Sequence, residues 1–170
     1  AYGKGIELQG KTLGIVGFGR IGQHLGVMAK AIGMDVIAFD IFHIPGIEEE
    51  LGIPYVEMDE LLAKSDFISV HAPAVDGGAL INAERIAKMK DGVVIINTSR
   101  GTNVDEAALL DALNSGKVRA AGLDVYADEP ATNVALYSHP MVSCTPHIGS
   151  ATVEAQGRIG EELVEIISKM

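Results

Sequence analysis

Apolar positions in this chain follow two rhythms that alternate from one end to the other. Short apolar runs, Leu13 to Val16, Val36 to Phe39, Phe67 to Val70, Val93 to Ile96 and Val118 to Leu123, are bounded by glycine and by aspartate, asparagine or histidine. Between them apolar residues recur at helical spacing, as in Ile21, Leu25, Met28, Ala29 and Ile32. The first rhythm predicts buried strands and the second amphipathic helices. Thr12 to Val16 reads as a strand, Arg20 to Ile32 as a helix closed by Gly33, and Val36 to Phe39 as the next strand. A short helix over Glu48 to Leu51 and one or two helical turns over Met58 to Ala63 precede the strand Phe67 to Val70. Asn82 is placed to cap a helix carrying Ile86 and Met89. Val93 to Ile96, four β-branched residues in succession, predicts a strand covered on both faces. A helix over Asp105 to Leu113, ending near Gly116, a strand over Val118 to Leu123 and a short one over Met141 to Cys144 follow. Val153, Ile159, Leu163, Ile166 and Ile167 mark a final amphipathic helix.

Strands alternating with helices predict an α/β domain: a doubly wound parallel sheet of six strands, Rossmann-type, with right-handed crossovers and helices on both faces in three layers. Residues 1–11, with Gly3, Gly5 and Gly10, read as a leading loop, 12–152 as the domain and 153–170 as the terminal helix. Ligands of such sheets bind outside the carboxyl ends of the strands. Those ends carry Gly17 to Gly22, Asp40, His71 to Pro73, Asn97 to Gly101, Asp124 to Glu129 and Thr145 to Ser150.

The first end has a specific chemistry. Gly17, Gly19 and Gly22 form a G-x-G-x-x-G set between a strand and a helix, and Asp40 ends the second strand 18 residues after Gly22. Gly17 permits the tight turn, Gly19 lets the backbone approach a pyrophosphate, and Gly22 lets helix and strand pack. The helix start offers free N–H groups and a positive dipole end, with Arg20 beside it. Asp40 is suited to both ribose hydroxyls of an adenosine, and no Arg or Lys follows it at 41–43 to receive a 2′-phosphate. The pattern points to NAD.

Composition narrows the classes. A chain of 170 residues with 48% hydrophobic content buries one sizeable core, and a net charge of −10 argues against a nucleic-acid surface and for a soluble, cytoplasmic protein. No signal peptide or membrane-spanning run is visible. Cys144, the sole cysteine, excludes an intrachain disulfide and reads as a small packed core residue. No spacing among the histidines and this cysteine matches a metal site, and His24, His43 and His139 read as surface or helix residues.

Asn97-Thr-Ser-Arg-Gly, Val104-Asp-Glu-Ala-Ala-Leu, Gly122-Leu-Asp-Val-Tyr-Ala-Asp-Glu-Pro and Thr145-Pro-His-Ile-Gly-Ser resemble signatures of the NAD-dependent D-2-hydroxyacid dehydrogenases. Within that family Glu-Leu-Gln-Gly-Lys-Thr-Leu-Gly-Ile-Val-Gly and Ser150-Ala-Thr-Val-Glu-Ala-Gln are most similar to the D-3-phosphoglycerate dehydrogenases. The resemblance implies Arg100, Glu129 and His147 as catalytic residues and Asp124 at the nicotinamide side. Cofactor contacts are then expected at Gly17, Gly19, Arg20, Ile21, Gly22, Asp40, His71, Ala72, Pro73, Thr98, Ser99, Asp124, His147, Gly149 and Ser150. These residue types suit oxidation of an alcohol beside a carboxylate. An imidazole takes the hydroxyl proton, a carboxylate orients it, and a guanidinium fork holds the substrate's oxygens. The loop Ala74-Val75-Asp76-Gly77-Gly78 departs from the leucine and threonines usual after the family's His-x-Pro.

Family members also carry a separate substrate domain, so the sequence reads as a cofactor domain with half of the cleft, binding NAD(H) but turning over little of a small anionic 2-hydroxy acid. The family's dimers imply a homodimer through the cofactor domain. The alternative function is an NAD(H)-responsive binding module like the family's co-repressors.

Overall fold

Side chains two apart on a strand share a face, and in this chain the two sets are buried against different helices. The computed structural model describes residues 5–169. Six strands, β1 (Thr12–Val16), β2 (Asp35–Phe39), β3 (Phe67–Val70), β4 (Val93–Asn97), β5 (Val118–Leu123) and β6 (Val142–Cys144), form one parallel sheet in the order β2-β1-β3-β4-β5-β6. Leu13, Ile15, Val36 and Ala38 face α1 (Arg20–Ala31) and α2 (Ile47–Leu51) through Phe18, Ala29, Ile47 and Ile53. The opposite face, with Val16, Ile68, Val70, Val93, Ile95, Ala121 and Leu123, packs on α3 (Met58–Lys64), α4 (Ala83–Lys88), α5 (Glu106–Ser115) and α6 (Val134–Tyr137). This is the expected doubly wound Rossmann-type sheet. No helix among the described residues is long and apolar enough to cross a membrane.

Local chemistry sets the element ends. The Asn82 side chain accepts from the Arg85 N–H at 3.0 Å, as expected of a cap. Asp105 caps α5 by accepting from Ala107 and Ala108 N–H. Gly116, at φ 79°, closes that helix in a conformation that only glycine adopts without strain.

Two expectations are corrected. Val94 and Ile96 of β4 are only half-buried, because they point to the side where α1 packs over β1 and β2 and covers no further. Hydropathy records that a run is apolar and says nothing of which helix lies above each side chain. Cys144 is exposed, not a core residue. It ends the three-residue edge strand β6, where the single turn of α6, four residues and about 6 Å long, meets its Sγ through the Tyr137 carbonyl at 3.9 Å without burying it. The last helix, α7 (Val153–Ser168), forms as predicted, yet none of its described side chains is buried.

Candidate cofactor and active site

The chain runs from β1 outward to β2 and returns past β1 to β3, so connections leave β1 and β3 on opposite sides and open a crevice at their carboxyl ends. Gly17 lies there at φ 94°, and a Cβ on it would meet the Ala72 nitrogen at 2.5 Å. A Cβ on Gly22 would meet the Gly17 carbonyl oxygen at 2.4 Å. Both glycines are therefore demanded by the protein's own packing. Gly19 differs, because no atom of the described residues lies within 4 Å of a Cβ built on it. It stands at the start of α1, where no acidic side chain occupies the first turn and no side chain caps the free N–H groups. An open space over uncapped helix amides fits a pyrophosphate.

Asp40 is half-buried and ties the second strand to that turn: one carboxylate oxygen accepts from the Phe18 N–H at 2.7 Å and the other from the Phe42 N–H at 3.1 Å. Each oxygen keeps a lone pair for a ribose hydroxyl. Arg20 and Ile21 are exposed on the first turn of α1. His71 is half-buried, its ring Nε2 2.9 Å from the Ser69 hydroxyl, and burial pushes its pKa down, so the crevice floor carries a neutral ring. Ala72 is half-buried beside it and Pro73 exposed.

A second group gathers at the ends of β4, β5 and β6. Arg100, Glu129 and His147 line one cavity of about 270 Å³ with Gly101, Thr102 and Tyr126. His147 Nδ1 lies 2.8 Å from Glu129 Oε2, and Glu129 Oε1 accepts from the Tyr126 N–H at 3.3 Å. The hydrogen bond from His147 holds the Glu129 carboxyl below its usual range, against a smaller opposing effect of desolvation. An ionised carboxylate only accepts, so Nδ1 carries a proton and Nε2 is the ring nitrogen left to serve as the base.

The turn that carries His147 is held from below. Asp124 is 5% exposed, and its carboxylate accepts from the Thr145 hydroxyl at 2.6 Å and from the Ile148 and Gly149 N–H groups, both at 2.9 Å. Burial alone would raise its pKa; the Thr145, Ile148 and Gly149 bonds, with the nearby His147, outweigh that and hold it low. These bonds fix a turn in which His147 adopts φ 56°, a left-handed conformation that needs such support in a non-glycine residue. Ser150 is exposed beyond it.

Arg100 is exposed, donates to its neighbour's carbonyl at Ser99 (2.7 Å), and pairs with no carboxylate among the described residues. Its main chain is fixed by Asn97, 1% exposed, whose side-chain amide donates to the Arg100 carbonyl at 2.9 Å. Asn97 Oδ1 accepts from both the N–H and the hydroxyl of Ser99. The Ser99 hydroxyl is thus turned inward, while Thr98 next to it is exposed.

Sequence reading passed over the Asn97 side chain and the anchoring work of Asp124. The available signal was position, since each is the buried polar residue at or just past the end of a strand, where it must find partners. His43 stacks on Tyr55 with ring centroids 4.0 Å apart, outside both groups. No cluster of three metal-ligating side chains forms among the described residues.

Comparison with known proteins agrees with this geometry. Residues 2–149 match the family model described as D-isomer specific 2-hydroxyacid dehydrogenase, NAD binding domain. The chain is 52% identical over 171 aligned positions to a hydroxypyruvate reductase of Thermotoga maritima, covering 98% of this chain and 55% of that protein. It is 49% identical over 164 residues to a D-3-phosphoglycerate dehydrogenase of Mycobacterium leprae, covering 96% of this chain and 31% of that protein. The crystal structure of a D-lactate dehydrogenase from Aquifex aeolicus complexed with NAD and lactic acid superposes with a TM-score of 0.87 at 39% identity, covering 96% of this chain and 54% of that one. The chain thus spans between 31% and 55% of the length of these relatives. The glycine turn, the acidic residue at the end of β2 and the family match lead to one conclusion: this chain belongs to the D-isomer-specific 2-hydroxyacid dehydrogenases and is an NAD-binding domain of that family.

Proposed function

We propose that the domain is the cofactor half of a cytoplasmic NAD-dependent dehydrogenase that oxidises the CH–OH group of a small anionic D-2-hydroxy acid. The observation that carries this reading is the 2.8 Å His147–Glu129 pair facing the same cavity as the unpaired Arg100 at the open end of an NAD-binding sheet. When bound, NAD supplies the hydride acceptor. The chain's own residues do the rest. His147 Nε2 takes the hydroxyl proton, and Glu129 holds Nδ1 and stabilises the imidazolium that results. Arg100 presents a permanently charged fork to the substrate's carboxylate. Asp124 holds the His147 turn and faces the nicotinamide side.

Within this class we assign 3-phosphoglycerate as substrate and 3-phosphohydroxypyruvate as product, a step of serine biosynthesis. The support is the 49% identity to a D-3-phosphoglycerate dehydrogenase together with the motifs shared with those enzymes, and the competitor is the substrate of the hydroxypyruvate reductase, 52% identical. A substrate domain outside this chain, entered through α7, completes the cleft. Pairing with a second copy is supported by the apolar surface of α1 and its C-cap, where Ile21, Met28 and Ile32 are each more than half exposed.

Calorimetry of the 170-residue chain tests the cofactor assignment. NAD is expected to bind and NADP to bind at least tenfold more weakly. A phosphate about 4 Å from Asp40 is repelled by roughly 4 kcal/mol per unit charge at an effective dielectric near 20, before relaxation reduces it. The same sample should form negligible NADH from 3-phosphoglycerate or glycerate, because holding the hydroxy acid in line with the reacting ring is worth about 7–11 kcal/mol of the barrier. Arg100 alone does not supply that alignment. Equal affinity for NAD and NADP would remove the role of Asp40, and steady NADH production would show that the cleft is already complete.

A further inference from the structure

Asn103 is fully buried in the single 3₁₀ turn (Gly101–Asn103) that follows Arg100, and its side chain joins the two halves of the site. Its Nδ2 donates to the Ala72 carbonyl at 2.8 Å and to the Ser99 hydroxyl oxygen at 3.1 Å. The orientation of the amide is fixed chemically, since a carbonyl only accepts and the NH₂ end must therefore face Ala72. Oδ1 is left buried without a hydrogen-bond partner among the described residues. The main chain of Asn103 is equally engaged: its N–H donates to the Arg100 carbonyl at 3.1 Å, and its own carbonyl accepts from the Ile81 N–H at 2.8 Å.

An orphaned buried acceptor is a cost that an apolar residue of similar size would not incur. The cost is offset by what the other end of the amide does. What asparagine provides and leucine does not is a fork of two N–H groups, one reaching the β3 end where Ala72 borders Gly17, the other reaching the β4 end through Ser99 and Asn97 to the Arg100 main chain. The distance between the cofactor crevice and the substrate anchor is set by that fork.

We propose that Asn103 is a positioning residue that holds the Ala72–Pro73 segment of the cofactor crevice in register with Arg100, so that occupancy of one side orders the other. The proposal rests on the roles given above to His71–Pro73 and Arg100, and the test separates its failure from theirs. Asn103→Leu keeps the branched outline with bulkier methyl ends and removes both donors. In the 170-residue chain its melting temperature should fall by roughly 3–10 °C while the domain stays folded at 25 °C. NAD affinity measured by calorimetry should also fall roughly three- to tenfold, the scale of one lost hydrogen bond. In the full-length dehydrogenase the KM for the hydroxy acid should rise about tenfold, and this effect should vanish in an Arg100→Ala background, since a residue acting through Arg100 has nothing left to position.

An unchanged NAD affinity, or a KM effect that persists in full without Arg100, would overturn the proposal. Should the leucine variant fold poorly, Asn103→Ala removes the same donors without bulk and is read by the same criteria. A wild-type enzyme inactive on every 2-hydroxy acid would refute the assigned reaction instead, and the calorimetric arm would then decide the role of Asn103.

Discussion

Replacing His147 by alanine in the full-length dehydrogenase is expected to lower kcat by about 10²–10⁴, the range of a positioned acid–base group, while the dissociation constant for NAD stays within a few-fold. The separation follows from geometry. The imidazole lines the cavity shared with Arg100, whereas the glycine turn, Asp40 and the start of α1 lie at the other end of the sheet's open edge. Glu129→Gln should cost less. It retains an acceptor for Nδ1 but loses the charge that stabilises the imidazolium. Because Glu129 is itself held at low pKa by His147, the native pair is already in the ionised-carboxylate, Nδ1-protonated arrangement that the proton transfer requires. Full turnover by His147→Ala would give the base role to another group and leave the pair as a structural contact of the 145–149 turn.

Much of this site was legible in the sequence, because in a parallel sheet buried on both sides each strand is a short apolar run and its carboxyl end is where the run stops. Gly17, Asp40, His71, Asn97, Asp124 and Thr145 could be placed at one edge on that ground alone, and the sheet order confirms it. Less legible were properties that depend on what lies above a residue. Val94 sits in an apolar run yet looks past the end of α1's coverage, and Cys144, apolar by type, ends an exposed edge strand. Hydrogen bonds between distant segments left no trace in local pattern. Nothing in Gly-Thr-Asn announces that Asn103 reaches a carbonyl 31 residues away, nor does Leu-Asp-Val announce that Asp124 will anchor a turn 24 residues further on. Carboxylates and amides at the ends of buried strands have few places to send their hydrogen bonds, and in this fold they send them across the active edge. Side chains that look like ordinary strand punctuation therefore set the geometry of the chemistry.

Two glycines of the site should give opposite phenotypes when substituted. Gly101 is buried directly after Arg100, and a Cβ on it would lie 1.8 Å from the Tyr126 carbonyl oxygen and 2.5 Å from the Ala127 nitrogen. Every atom met is backbone, so no side chain can swing aside; the 3₁₀ turn and the segment leading to Glu129 must separate. Overpacking of this kind costs about 1–3 kcal/mol or more, which for a domain of this size lowers the melting temperature by roughly 5–10 °C. Turnover should fall with it, since the displaced atoms carry the Arg100 main chain on one side and the Tyr126 N–H that Glu129 accepts from on the other. Gly19 is the reverse case. Its φ of −74° and ψ of −164° suit a β-branched residue, and no atom of the described residues lies within 4 Å of the added Cβ. Gly19→Val should therefore melt within about 2 °C of wild type, yet bind NAD at least 10²-fold more weakly, because the space it fills is the one the pyrophosphate needs at the amides of α1. Thermal melts and NAD titrations of Gly101→Ala and Gly19→Val, run side by side, check both. Wild-type NAD affinity in Gly19→Val would move the phosphate site away from this turn, and an unshifted melt in Gly101→Ala would mean that the Arg100 turn is not pressed against Tyr126 at all.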